Sequence, residues 1–175
     1  MGSHTIDQNN RLEVADFARK NPGERKPDGH GFDVRIGDTK FALDDPVVTG
    51  RQILEAAGNF PPEEFLVFQR LANGQLEEIR LDETVDLRDP GVERFHTFRS
   101  DRSFRFVVDG RRFEWGMATI TGRTLKALAG VPAEYGVWLE RRNDDDLPVG
   151  DAEDVDLSQP GVERFFTGKT TTTEG

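Results

Sequence analysis

Gly168-Lys169-Thr170 has the ending of a phosphate-binding loop. That loop needs a glycine five residues before its second glycine, and position 163 is Glu, so the match fails. The three histidines, His4, His30 and His96, are scattered and lack the spacing of a metal site. His96 reads as a structural residue of a strand. There is no cysteine, which removes thiolate nucleophiles, thiolate zinc sites and disulfides together. No Gly-x-Ser-x-Gly elbow occurs. Asp144-Asp145-Asp146 lacks the Gly and Glu placement of a calcium loop and reads as a solvated loop, or an electrostatic contact for a basic partner. No catalytic residue, metal ligand or cofactor site is therefore assigned, and the chain is not expected to be an enzyme.

The elements that would position any functional group are easier to read. Residues 85–95 are Val-Asp-Leu-Arg-Asp-Pro-Gly-Val-Glu-Arg-Phe, and residues 155–165 are Val-Asp-Leu-Ser-Gln-Pro-Gly-Val-Glu-Arg-Phe. A repeat at that distance is too long for a solenoid unit and fits a small self-contained domain. The first copy opens with Phe32-Asp33-Val34-Arg35-Ile36, whose alternation marks a half-buried strand. Gly37-Asp38 turns it into a second strand, Lys40 to Leu43. Thr49 to Gly58 reads as a short helix, with Thr49 and Gln52 as a capping box and Gly58 as its stop. Ile53, Leu54 and Ala57 share its apolar face. A hairpin, Phe65–Phe68 and Leu76–Leu81, an irregular link at Val85-Asp86-Leu87 and a last strand, Val92–Phe98, complete the unit.

The second copy repeats the order. Phe104 to Val108, Asp109-Gly110 and Arg112 to Trp115 form a hairpin. Thr121-Gly122-Arg123 answers Thr49-Gly50-Arg51, Gly130 answers Gly58, and Val137-Trp138-Leu139 answers Val67-Phe68-Gln69. Leu147 to Val149 is a weak strand and Val162 to Thr167 the last one. Hairpin, helix, hairpin, link and final strand is the order of a β-grasp, an α+β fold in which the first and last strands lie parallel at the centre. The divisions are residues 1–30, a polar flexible arm; 31–99, the first domain; 100–167, the second; and 168–175, a flexible tail.

Charge and hydropathy narrow the partners. The formal net charge of −10 repels a nucleic-acid backbone on average. No apolar run approaches the ~18 residues of a membrane span. The first residues show no hydrophobic signal region, and the absence of cysteine fits a reducing cytoplasm.

Two tandem β-grasp-like units, each with Thr-Gly-Arg at the helix start and Pro-Gly-Val-Glu-Arg-Phe near the end, resemble the bacterial multiubiquitin proteins over roughly residues 31–168. The resemblance implies a ubiquitin-like modifier. Its partners would be an adenylating activating enzyme, a conjugating enzyme, a JAMM-type zinc protease and target proteins, within bacterial ubiquitination-like systems that include anti-phage ones. The reactive group would be the C-terminal carboxylate, adenylated and passed to a thiol and then to an amine. Glycine suits that position because no Cβ blocks the approach. Gly175 is the expected conjugation terminus, with Gly168 as the alternative after trimming. Residues 95–104 contain no glycine, so the tandem is expected to stay one chain. Of the five lysines, Lys20 and Lys26 in the arm are the expected acceptors of an isopeptide bond. Phe68, Trp115 and Trp138 are candidates for a partner surface, against core packing as the plainer reading. A second class of function remains beside the modifier: a non-covalent module that self-associates through sheet edges.

Overall fold

A computed structural model of the chain describes residues 11–28 and 31–170. They form two compact units, residues up to 72 with 78–99, and residues 73–77 with 100 onward.

In the first unit β1 (Arg11–Glu13) leads into α1 (Val14–Lys20). β2 (Gly31–Ile36) and β3 (Thr39–Leu43) form the expected hairpin. Phe32, Val34 and Ile36 are buried, as their alternation requires. β4 (Val47–Thr49) runs into α2 (Gly50–Ala56). β5 (Phe65–Leu71), β6 (Leu76–Ile79), β7 (Thr84–Asp86) and β8 (Val92–Arg99) follow. The sheet order is β1-β2-β8-β5-β6, with β3 also on β2. β2 and β8, the opening and closing strands of the repeat, are parallel neighbours.

The second unit contains β9 (Phe104–Val108), β10 (Arg111–Trp115), β11 (Thr119–Thr121), α3 (Gly122–Ala129), β12 (Tyr135–Leu139), β13 (Leu147–Pro148), β14 (Asp154–Asp156) and β15 (Glu163–Lys169). Its sheet order is β10-β9-β15-β12-β13, and β9 and β15 are again parallel. Both units are thus α+β folds of the β-grasp type, sharing one helix, α2 or α3, on a mixed sheet, with α1 an addition to the first.

The shared motifs have plain physical causes. At α2 the Thr49 hydroxyl accepts from the Gln52 amide at 3.2 Å, and the Thr49 amide donates to the Gln52 side chain at 2.8 Å. At α3 the Thr121 hydroxyl accepts from the Thr124 amide at 3.3 Å. The glycine of each Thr-Gly-Arg lies against a backbone carbonyl, and a Cβ there would collide with Arg80 O in one copy and Gly150 O in the other. In the longer motif, Val85 and Leu87 enter the first core, and Val155 and Leu157 pack in the second. Asp86 and Asp156 close their own turns by accepting amides from Arg88 at 3.0 Å and Ser158 at 2.8 Å. Phe95 and Phe165 are buried in the two cores.

Two divisions drawn from the sequence need correction. The stretch 1–30 reads as a flexible arm, but from Arg11 onward it is built into the first unit. β1 pairs in parallel with β2, and Val14, Ala15 and Ala18 are buried. Glu13 pairs with Arg35 at 3.1 Å. Arg35 alternates with the core residues Val34 and Ile36, so α1 starts on the sheet face turned away from α2. Phe68, which alternates with core-facing Val67 on that outer face, is buried as well. The arm looked too polar to fold because its apolar residues are few, yet small alanines suffice where a helix lies directly on a sheet. At the other end, the tail expected from residue 168 begins later, because Gly168 and Lys169 belong to β15. Residues 1–10 and 171–175, and with them Gly175, lie outside the described residues.

Candidate functional site

β15 carries the chain toward its C-terminal residues from the middle of the second sheet. It lies between parallel β9 and antiparallel β12, so its path is fixed from both sides. Phe165 anchors it in the core. Asp109, at the β9–β10 turn, accepts from both the amide and the hydroxyl of Thr167, at 2.8 and 2.6 Å. The Thr170 hydroxyl donates to the Glu134 carbonyl at 2.9 Å. The second unit therefore grips its last strand through Thr170.

Gly168 is part of that grip. It pairs with Gly136 across β12–β15, and the two glycines lie beside the Trp138 indole. A Cβ at position 136 would come within 2.6 Å of the ring, and one at 168 within 3.4 Å. Both glycines thus have a packing role, and Gly168 is a paired strand residue rather than a free terminus.

The lysines separate sharply. Lys20 is exposed in the last turn of α1, as are Lys40 and Lys169. Lys26 is only 2% exposed, and its ammonium donates to the Asp89 carbonyl at 2.9 Å. Burial pushes its pKa down to about 8, against the pull of the Asp89 and Asp86 charges. Lys26 is therefore not an accessible acceptor, which corrects the expectation from its place in a polar arm. Lys126 is sequestered too, bonded to Asp151 at 2.5 Å and to the Ala133 carbonyl at 2.7 Å.

The aromatic candidates also divide. Phe68 is buried and is no partner surface. Trp115 is half-buried against the second core and donates its indole N–H to the Thr119 carbonyl at 3.0 Å. Trp138 is half-buried on the outer face of the second sheet, stacked on Phe166 at 5.5 Å between ring centres. Among the three, Trp138 alone keeps the placement of a surface group.

A polar cluster in the first unit escaped the sequence reading. Arg88 reaches Asp28 at 2.7 Å and Asp86 at 2.9 Å. Arg25 bridges Asp89 at 2.7 Å and Asp86 at 3.1 Å. The Lys26 amide donates to the Arg88 carbonyl at 2.8 Å. The Arg88 guanidinium, the first cause, holds the Asp86 carboxyl well below the usual carboxylate range. Residues 25–28 are thereby latched to the loop 86–89. The signal was present in the repeat: the two copies of the eleven-residue motif differ at two positions, Arg88-Asp89 against Ser158-Gln159. Those two residues hold the latch. In the second copy Ser158 and Gln159 turn inward and bond to Asp156, at 2.5 and 3.0 Å.

Fold and terminal strand together define a tandem ubiquitin-like protein. The multiubiquitin family model matches residues 32–100 and again 104–170. The chain belongs to the multiubiquitin family. No curated protein matches it at a significant level. Among the described residues, no helix is long and apolar enough to cross a membrane.

Proposed function

We propose that the chain is a ubiquitin-like modifier, activated at Gly175 by an adenylating enzyme and conjugated to target amines as an intact tandem. The observation that carries this reading is the multiubiquitin match over both units, joined to a last strand that leads directly into the C-terminal residues. The carboxylate attacks the α-phosphate of ATP and pyrophosphate leaves. A thiol of the enzyme then displaces AMP, and a target amine displaces the thiol. The modifier supplies the carboxylate and a recognition surface, and its partners supply the catalytic groups. The glycine-free stretch 95–104 supports conjugation of the tandem without prior cleavage into single units.

The test is co-expression with the activating and conjugating enzymes of its own genomic neighbourhood, with and without removal of Gly175. High-molecular-weight adducts are expected with the full chain and not with the shortened one. Equal adducts in both would overturn the reading.

A further inference from the structure

A slot that is filled in the first unit stands open in the second. In the first unit one edge of β2 is shared. β1 pairs with it at Arg11↔Gly31, Leu12↔Phe32 and Glu13↔Asp33, and β8 takes over at Arg35↔Arg94. In the second unit β15 joins the matching edge of β9 only from Phe106 onward. Among the described residues no strand pairs with that edge at Ser103–Arg105, the counterpart of Gly31–Asp33. A groove of about 420 Å³ lies there, lined by Arg105, Val107, Arg112, Phe113, Val162 and Arg164. The exposures report the same difference. Val92 is 4% exposed in the first unit and shares a core cluster with Val14, whereas its counterpart Val162 is 53% exposed.

The charges facing the slot are not the same in the two units. In the first, outward-facing Asp33 holds Arg11 at 2.7 Å and outward-facing Arg35 holds Glu13 at 3.1 Å. The matching residues in the second are Arg105 and Val107, so one charge is reversed and the other removed. Arg112 and Arg164 are exposed and add positive charge to the rim. The acid within reach is Glu114, which pairs with Arg105 at 3.3 Å on a largely exposed surface.

We propose that this groove takes an extended acidic segment of a partner protein. It would add as a strand parallel to β9 over residues 103–105, with a carboxylate opposite Ser103, the place from which Arg11 reaches Asp33 in the first unit, so that it meets Arg105 on the diagonal. Apolar residues after it would cover Val162. Backbone groups of a sheet edge supply affinity for any strand, and the facing side chains choose among strands. The N-terminal segment of a second copy fits less well: on the diagonal its Arg11 would meet Arg105 in place of Asp33, and its Glu13 would find Val107 in place of Arg35.

The probes are two synthetic peptides spanning residues 9–21, one unaltered and one carrying Arg11→Glu and Glu13→Val. Each is titrated into the isotopically labelled full chain, to about 1 mM, and followed by amide shifts. The altered peptide is expected to move the amides of Ser103–Val107 and Val162–Arg164, and to bind about fivefold more tightly than the unaltered one, the range of an exposed charge pair. Arg105→Glu in the chain, an exposed substitution, should reverse that preference. Absence of shifts at these amides, or equal affinities that Arg105→Glu leaves unchanged, would overturn the proposal. Tighter binding by the unaltered peptide would also overturn it, and would put a second copy in the groove.

Discussion

Rewriting the first copy of the motif as the second should loosen the N-terminal segment without unfolding the unit. The double substitution Arg88→Ser and Asp89→Gln removes the Arg88–Asp28 pair at 2.7 Å and the Arg25–Asp89 pair at 2.7 Å. The Arg88–Asp86 contact is lost as well, but a serine at 88 can bond Asp86 as Ser158 bonds Asp156. The bond from the Lys26 amide to the carbonyl of residue 88 survives, as does the bond from the Lys26 ammonium to that of residue 89. The net loss is two ion pairs with at least one half-exposed partner each, the weak class of such pairs. Opening of the segment then becomes roughly twofold to thirtyfold more frequent, the range of two exposed ion pairs. Native-state hydrogen exchange of the α1 amides, Ala18 to Lys20, measures it directly. The reverse change in the second copy, Ser158→Arg with Gln159→Asp, should leave those amides alone. Exchange of α1 altered less than twofold by the first double substitution would refute the latch. So would an equal effect from the second pair.

Two further outcomes follow from buried groups. Lys26 has a folded pKa of about 8 against an ordinary 10.5, so between those values the unfolded chain binds the proton and the folded chain does not. Stability should therefore rise with pH across that window, by up to about 3 kcal/mol, and Lys26→Met should flatten the rise in denaturant midpoints; parallel curves for the two proteins would count against it. Gly136→Ala places a methyl 2.6 Å from the Trp138 ring and should cost about 1–3 kcal/mol with a change in tryptophan emission, whereas Gly168→Ala, at 3.4 Å, should cost much less; equal losses would mean that the indole does not sit over Gly136.

The fold was legible where several signals agreed. The Thr49–Gln52 box and the Gly58 stop marked α2, which ends at Ala56 with Gly58 at φ +77°. Asp109-Gly110 marked a hairpin in which both residues take positive φ, as a two-residue turn of that kind requires. Three-residue strands carry no usable periodicity, so of the β4–β7 and β11–β14 ribbons only Val85-Asp86-Leu87 was read, as an irregular link. The first segment was misread for a different reason. Val14, Ala15 and Ala18 supply little hydrophobicity by themselves, and their burial depends on a sheet face that composition cannot show. Lys26 was misassigned by the same route, since a lysine in a polar stretch reads as solvated until its partner loop is known. Of the candidate site, the approach to the terminus was legible through β15, while the latch lay in a two-residue difference that only contact geometry interprets.

That difference bears on how two copies of one fold can do unlike work. A β-grasp unit leaves part of the edge of its opening strand uncovered where the parallel closing strand has not yet begun. An uncovered edge invites pairing with any available strand. The first unit covers it with its own segment, locked by Asp33 at the edge and by Arg88 and Asp89 at the loop. The second unit has Arg105, Ser158 and Gln159 at those positions, so of the charges that hold the segment there only the counterpart of Asp86, Asp156, remains. A ligand suited to Arg105 meets Asp33 in the first unit and must also displace β1 and α1 there. Selectivity for the second unit then needs no large affinity: one reversed charge and one occupied edge act in the same direction.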